Sequence, residues 1–159
     1  MIIRRPLPGD AEALAAVHVH GWRDTYAHLL PERFYGQDAY RRRVAMWTRL
    51  IDEPDPESTA LVAEIDHVIV GFAWAGAARG EDAVRDIELY SIYLEAARHG
   101  SGAAQALLDG VLGTAPAQLW VVQDNMRAQA FYRRNGFRPD GATQVEEHLA
   151  NLTDIRMVR

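Results

Sequence analysis

Apolar and polar positions alternate along the first third of the chain with the spacing of two helices. Between Asp10 and Tyr26, apolar residues recur every three to four positions, which predicts a helix that Asp10 can cap. Pro31 ends that pattern, and a second helical stretch follows with an apolar side formed by Tyr40, Val44, Trp47 and Ile51. The next segment, DEPDPEST at 52–59, has no periodicity and contains two prolines and four acids, so it is predicted to be a loop.

Strand-like runs occupy most of the remaining chain. The first five residues, MIIRR, predict a short strand, and TALVAEI and VIVGFAWAG predict a hairpin that turns at Asp66-His67. A further strand is predicted at 85–94, followed by a glycine-led helix, a strand at 118–123 and a helix at 125–136. Weaker strands are predicted near 143–149 and 153–158. This order of elements indicates an α/β or α+β layered fold with a mixed sheet.

Composition and charge narrow the classes of protein that the chain can belong to. Its 159 residues suit a single domain, taken as 1–159, and a net charge of −5 argues against a broad nucleic-acid surface. The absence of cysteine excludes disulfides, thiolate zinc sites and a cysteine nucleophile. Because no apolar run approaches 18 residues and the N-terminus does not resemble a secretory signal, we expect a cytoplasmic protein without a membrane partner.

The segment ARHGSGAAQALLDGVL at 97–112 places Gly100 and Gly102 directly before an apolar helical run. A Walker A loop is excluded because Ala103-Ala104 stands where Lys and Ser or Thr are required. A dinucleotide fingerprint fails because Gln105 stands where Gly or Ala is required. Two interpretations remain open: a plain strand-to-helix turn, or a helix N-terminus whose free N–H groups bind a phosphate.

A second segment, LWVVQDNMRAQAFYRRNGFRPDG at 119–141, changes that balance. Together with the glycine segment it resembles the GNAT superfamily of acetyl-coenzyme A-dependent N-acetyltransferases. The family's phosphate loop, Arg/Gln-x-x-Gly-x-Gly/Ala, corresponds to residues 97–102, with Ala97 in place of the first Arg or Gln. The family's later positions are matched in order and spacing by Asn125, Ala128, Phe131-Tyr132 and Gly136-Phe137.

The resemblance implies a fold and a set of cofactor contacts. The fold would be a mixed, mostly antiparallel central sheet of six to seven strands flanked by about four helices. Acetyl-CoA would be the co-substrate and no metal would be needed: the amides of residues 98–103 would hold the pyrophosphate, and the strand at 88–94 would pair with the pantetheine arm. The cofactor-binding residues would be Ile92, Tyr93, Leu94, Arg98, His99, Gly100, Ser101, Gly102, Ala103, Asn125, Ala128 and Phe131.

The resemblance also implies catalytic roles for two residues. Tyr132 would face the sulfur and act as general acid, and Glu88 would be the base or the anchor of the amine. The alternatives are a core aromatic residue and a surface glutamate at a strand end. The amine would attack the thioester directly, through a tetrahedral intermediate. The aromatic first helices would form the acceptor site, and Trp22 and Tyr26 are the substrate-binding candidates.

Other charged groups receive simpler interpretations. His18 and His20 are two apart on a helix and do not face each other. The three adjacent arginines at 41–43 are expected to be a solvated face, with a binding patch as the alternative. The acids near Glu88, at 81, 82 and 86, are expected to attract a cationic amine. We therefore predict an N-acetyltransferase for a primary amine of a small molecule or peptide. The alternative is a non-catalytic acyl-CoA-binding sensor or interaction module, and the choice between monomer and homodimer stays open.

Overall fold

The computed structural model describes residues 1–159, with the side chain of residue 148 left outside the description. Seven strands form one sheet in the order β1-β2-β3-β4-β5-β7-β6. The strands are β1 (Ile2–Arg4), β2 (Thr59–Ile65), β3 (Val68–Ala77), β4 (Ile87–Leu94), β5 (Gln118–Val122), β6 (Arg138–Glu146) and β7 (Leu152–Val158). The helices are α1 (Ala11–Tyr26), α2 (Gln37–Asp52), α3 (Ala103–Leu112) and α4 (Met126–Arg134). The predicted fold class, with six to seven strands and about four helices, is confirmed.

The helices cover both faces of the sheet. On one face α1 and α2 pack through Leu14 and Trp47 against Phe72 of β3. On the other face α3 and α4 bury Leu107 and Tyr132 in a second apolar cluster. Burial of these two faces is the main stabilisation of the layers, because apolar area removed from water contributes about 25 cal/mol per Å².

Two local predictions are wrong at the level of single residues. Asp10 stands at the N-cap position of α1, but its carboxylate accepts from the Leu7 N–H and from Arg4 and makes no capping bond. The strand predicted at 143–149 begins at residue 138 and ends at 146, and 147–149 form a 3-10 turn. The start was missed because Pro139 and Gly141 are residues that usually interrupt a strand. Strands tolerate them at bulges, and the register with β7 shifts at this point.

The central strands β4 and β5 run parallel but stay paired over only two residues. The register in the sheet as described joins Glu88 to Gln118 and Leu89 to Leu119 and ends there. Directly afterwards β4 carries a bulge, because Leu89 and Ser91 face neighbouring residues of β3 and Tyr90 is the extra residue between them. A bulge bends its strand and increases the twist, so it explains why β4 leaves β5 at this point. The result is a cleft in the middle of the sheet.

Candidate active site

The cleft between β4 and β5 has a volume of about 920 Å³ and is bordered by residues from both helical layers. Its aromatic wall comes from α1 and the turn that follows it, through Trp22, Tyr26 and Phe34. The ring of Phe34 stacks on Trp22 with centroids 6.3 Å apart, and Tyr26 meets Trp22 edge to face at 5.8 Å. Both predicted substrate-binding residues, Trp22 and Tyr26, therefore lie in the wall of one cavity.

One edge of β4 faces the cleft without a partner strand. Its other edge pairs with β3 as far as Leu94, whereas the described residues of β5 offer no pairing beyond Leu89. An open edge of this kind can hydrogen-bond an extended polar chain as if it were an added strand. Ile92 and Tyr93 border the cleft, while Leu94 packs on the α3 side near Leu107.

Two glycines shape the loop between β4 and α3. Gly100 and Gly102 have φ angles of +82° and +86°, a left-handed region that other residues rarely adopt. A Cβ atom built on either glycine would meet nothing within 4 Å, so the space over the loop is open. The loop therefore presents bare backbone to a ligand at the N-terminus of a ten-residue helix.

Some amides of this loop are already engaged within it. The N–H groups that donate to carbonyl or hydroxyl oxygens of the loop itself are those of Arg98, His99, Ser101 and Ala103. Among the described residues, the N–H groups left for a ligand are those of Gly100, Gly102, Ala104 and Gln105. Of the amides at 98–103 that are predicted to hold the pyrophosphate, only those of the two glycines are unengaged. The amides of Ala104 and Gln105, in the first turn of α3, are also unengaged.

Sequence reasoning missed a cation beside the loop. Nη1 of Arg127, on the first turn of α4, lies 3.0 Å from Nδ1 of His99. This contact brings a guanidinium to the loop in which Ala97 replaces the expected Arg or Gln. The sequence carried no signal for it, because the two residues are 28 positions apart and meet only through the fold.

Asn125 joins the two sides of the cleft. Its Oδ1 accepts from the N–H of Ala128 at 3.1 Å, which caps α4. Its Nδ2 donates to the hydroxyl of Tyr26 at 3.2 Å, so the start of α4 is tied to the end of α1. Asn125 and Ala128 both border the cleft. The cap therefore also positions the aromatic wall.

Tyr132 lies on α4 with its ring buried and its side chain bordering the cleft. Burial raises the pKa of the Tyr132 hydroxyl above its ordinary value, and the nearby Tyr26 adds to the shift. The hydroxyl therefore keeps its proton at neutral pH. No described residue forms a hydrogen bond to it, so it is available to a ligand. Phe131 packs beside it, with ring centroids 5.6 Å apart, against the apolar core on the α3 side.

Glu88 is buried at the point where β4 and β5 separate, and its carboxylate accepts four hydrogen bonds. Oε1 accepts from Nε of Arg79 at 3.0 Å and from its Nη2 at 2.6 Å. Oε2 accepts from the Arg79 backbone N–H at 3.2 Å and from Nε2 of Gln118 at 3.1 Å. Two carboxylate oxygens have about four acceptor positions, and here four donors occupy them. Sequence reasoning placed Glu88 in the site but missed both partners.

The arginine run at 41–43 is not a uniformly solvated face, which corrects that prediction. Arg41 and Arg42 are exposed, whereas Arg43 is half-buried and borders the cleft. Its guanidinium lies over the ring of Trp22 at 5.4 Å, and burial lowers its pKa from a high ordinary value. The cause is geometric: Arg43 lies four residues before Trp47, on the side of α2 that faces the sheet.

The acids expected to attract an amine are partly neutralised. Glu88 pairs with Arg79, and Asp82 lies 3.3 Å from Nη1 of Arg156.

Within the described part of the chain, no three His, Cys, Asp or Glu side chains come together as a metal site. Of the helices described, none has the length and apolar character needed to cross a membrane.

The chain is similar in sequence to known acetyltransferases. The model of the acetyltransferase (GNAT) family matches residues 22–137. An uncharacterized N-acetyltransferase of Mycobacterium bovis is 40% identical over 111 aligned residues, and the alignment covers 66% of this chain and 69% of the relative. An uncharacterized N-acetyltransferase of Bacillus subtilis is 30% identical over 122 residues, covering 73% of this chain and 68% of that protein.

Solved structures share the fold at lower identity. A PaiA N-acetyltransferase from Thermoplasma acidophilum in complex with coenzyme A has a TM-score of 0.73 at 22% identity, with 99% of this chain and 97% of that chain covered. A ribosomal-protein-alanine N-acetyltransferase from Brucella melitensis has a TM-score of 0.73 at 24% identity, with 100% and 99% covered.

Proposed function

Since the chain belongs to the GNAT family of acetyltransferases and is therefore an acyltransferase, we propose that it moves an acetyl group from acetyl-CoA to a primary amine of a small molecule or peptide. The observation that carries this proposal is the cleft itself. It combines an unpaired β4 edge with a protonated Tyr132, and β4 leads directly into the glycine loop with its free amides.

The shape and donors of the cleft fit coenzyme A. A pantetheine arm has amide groups that can pair with the open edge of β4 near Ile92. A pyrophosphate can accept from the N–H groups at Gly100, Gly102 and the start of α3, where the helix dipole also favours negative charge. The PaiA structure of similar fold holds coenzyme A, which supports the same ligand class here.

Tyr132 is proposed as the general acid of the reaction. The amine would attack the thioester carbonyl directly, through a tetrahedral intermediate, and a thiolate would leave. A tyrosine that keeps its proton at neutral pH can donate to that sulfur, and burial of Tyr132 secures the protonated form. No other described residue competes for its hydroxyl.

Glu88 is proposed as the base or the anchor of the amine, in a form that the structure makes more specific. With its acceptor positions filled, Glu88 has no free lone pair for the amine proton until Arg79 moves away. The side chain of Arg79 is 63% exposed, so such a movement leaves the core intact. We therefore propose that Arg79 yields its place on Oε1 to the amine or to a water that relays the proton.

The occupied carboxylate of Glu88 is also compatible with the alternative function, a non-catalytic acyl-CoA-binding module. A carboxylate occupied by four donors is also what a non-catalytic acyl-CoA-binding module could contain, since such a module needs no base. The two functions differ in one result: a module binds coenzyme A but releases no thiol with any amine.

An acceptor panel tests the proposal. The purified chain is incubated with acetyl-CoA and primary amines of different charge, and the released thiol is followed with a thiol reagent. The chain has no cysteine and its 17 basic residues are all arginines, so neither protein thiols nor lysine self-acetylation contribute. Thiol release with an acceptor, lost in Tyr132→Phe, supports the transferase. Binding of coenzyme A without turnover in the whole panel supports the module.

A further inference from the structure

Arg43 borders the cleft, and none of the described carboxylates forms an ion pair with it. Its only hydrogen bond among the described residues goes from Nη1 to the sulfur of Met46, at 3.8 Å. Burial lowers the pKa of Arg43, Tyr93 raises it and the neighbouring Arg42 lowers it, and the charge of Arg43 also acts on the buried His18. A guanidinium has five N–H donors, and a thioether is a weak acceptor for one of them. Most of the donor capacity of Arg43 is therefore unused.

Among the described residues, the α2 wall of the cleft carries positive charge only. The side formed by the sheet and its loops carries both signs, because the carboxylates of Asp82, Glu88, Glu146 and Asp154 lie there and Arg79 binds Glu88. The arginines of the opposite wall, Arg42 and Arg43, lie on α2. An anionic group would be attracted to the α2 wall, because the charged residues described there are arginines.

Arg43 also lies on the acceptor side of the cleft. Its guanidinium covers Trp22, which contacts Tyr26, and Tyr26 is bonded to Asn125 at the start of the helix that carries Tyr132. The glycine loop follows β4, and none of its residues is among the described residues that border the cleft. A group held by Arg43 is therefore part of the amine substrate, since the pyrophosphate would be held at the glycine loop.

We propose that the acceptor is an amine that also carries a carboxylate, as an amino acid does, and that Arg43 binds this carboxylate. This inference rests on the proposed acetyl transfer and names its substrate class. A planar guanidinium and a carboxylate match in a two-point hydrogen bond, which is stronger than a bond between neutral groups. With the carboxylate on the α2 wall, the amine points toward the strands and Tyr132. Trp22, Tyr26 and Phe34 would surround the substituent.

Matched acceptors test the proposal. The probes are L-phenylalanine, L-phenylalaninamide and 2-phenylethylamine, which differ in the carboxylate, and kcat/KM is referred to the free-amine fraction of each. We expect the wild type to favour the amino acid by about 10²-fold, the range for a hydrogen bond to a charged group. In Arg43→Met that preference is lost through KM, while the amide and the amine keep their rates. Arg43→Lys keeps the positive charge but loses the planar two-point donor geometry of the guanidinium, so its preference for the amino acid should be intermediate.

Arg41→Met is the control, because Arg41 is on the same helix but exposed and outside the cleft wall. It should behave as the wild type. Equal losses with all three probes in Arg43→Met would reduce Arg43 to packing on Trp22 and overturn the proposal. So would a wild type that acetylates only amines without a carboxylate, although the acetyltransferase function would then stand. Absence of thiol release with every amine tested would instead overturn both.

Discussion

Replacing Tyr132 by Phe removes one hydroxyl and leaves the packing of the ring in place. The ring is buried between Phe131 and Phe137, at centroid distances of 5.6 and 6.0 Å, and those contacts do not involve oxygen. No described residue bonds the hydroxyl, so its loss breaks none of the hydrogen bonds that those residues make. We expect the free energy of unfolding to change by less than about 1 kcal/mol, which is a Tm shift of at most about 2–4 °C.

The effect on catalysis should be much larger than the effect on stability. If Tyr132 is the general acid, kcat should fall about 10²-fold, equivalent to about 2.7 kcal/mol in the barrier, while KM for acetyl-CoA holds. The sign of the pH dependence follows from burial. Because the pKa of Tyr132 is raised, its proton is retained past the ordinary tyrosine value of about 10, and the wild type should show no alkaline loss from this group below that pH.

Steady-state kinetics with the best acceptor, together with calorimetric binding of coenzyme A, measures both quantities. Tyr40→Phe is the matched control, because Tyr40 packs between α2 and the sheet and does not border the cleft. It should leave kcat unchanged. A wild-type kcat in Tyr132→Phe would remove Tyr132 from the mechanism. A large loss of coenzyme A binding would show that the hydroxyl holds the cofactor instead.

Three further changes probe the glycine loop, the cap of α4 and Glu88. Gly102→Asp adds a carboxylate where a pyrophosphate would lie and should abolish most coenzyme A binding, whereas Gly141→Asp, at a similar positive φ and with equal open space, should bind normally. Unchanged affinity in the first would make the loop a plain turn. Asn125→Ala removes the cap of α4 and should lower stability by about 1 kcal/mol in thermal unfolding. Glu88→Gln places an amide N–H group against the N–H donor of Gln118, so the free energy of unfolding should fall by about 1–3 kcal/mol. In the same variant, kcat/KM for the amine should fall more than the affinity for acetyl-CoA. A normal kcat/KM at reduced stability would make Glu88 purely structural.

The parts of the fold that sequence reasoning predicted correctly are those governed by neighbouring residues. The spacing of apolar residues in α1 and α2 is local, and so is the turn at Asp66-His67, where both residues have positive φ. The start of β6 was missed because its pairing with β7 is a contact between separate segments, which overrides the turn preference of Pro139 and Gly141.

The same division explains what could be predicted about the site. Gly100, Gly102 and Asn125 act through their own backbone or their own helix, so a motif of a few residues was enough to find them. Glu88 was found by its position, but its state depends on Arg79 and on Gln118, which is 30 residues away. No local pattern encodes a pair of that kind.

The position of Arg43 could be predicted in part from local spacing and in part only from the fold. Three adjacent arginines look like one charged face, but successive helical residues are turned by about 100°, so they cannot share a side. Arg43 is three residues after Tyr40 and four before Trp47, both on the apolar side of α2, and that spacing already directs it inward. What the spacing could not supply is the cavity that Arg43 meets there. That cavity exists because a bulge at Tyr90 separates β4 from β5, and only the assembled sheet brings the two features together.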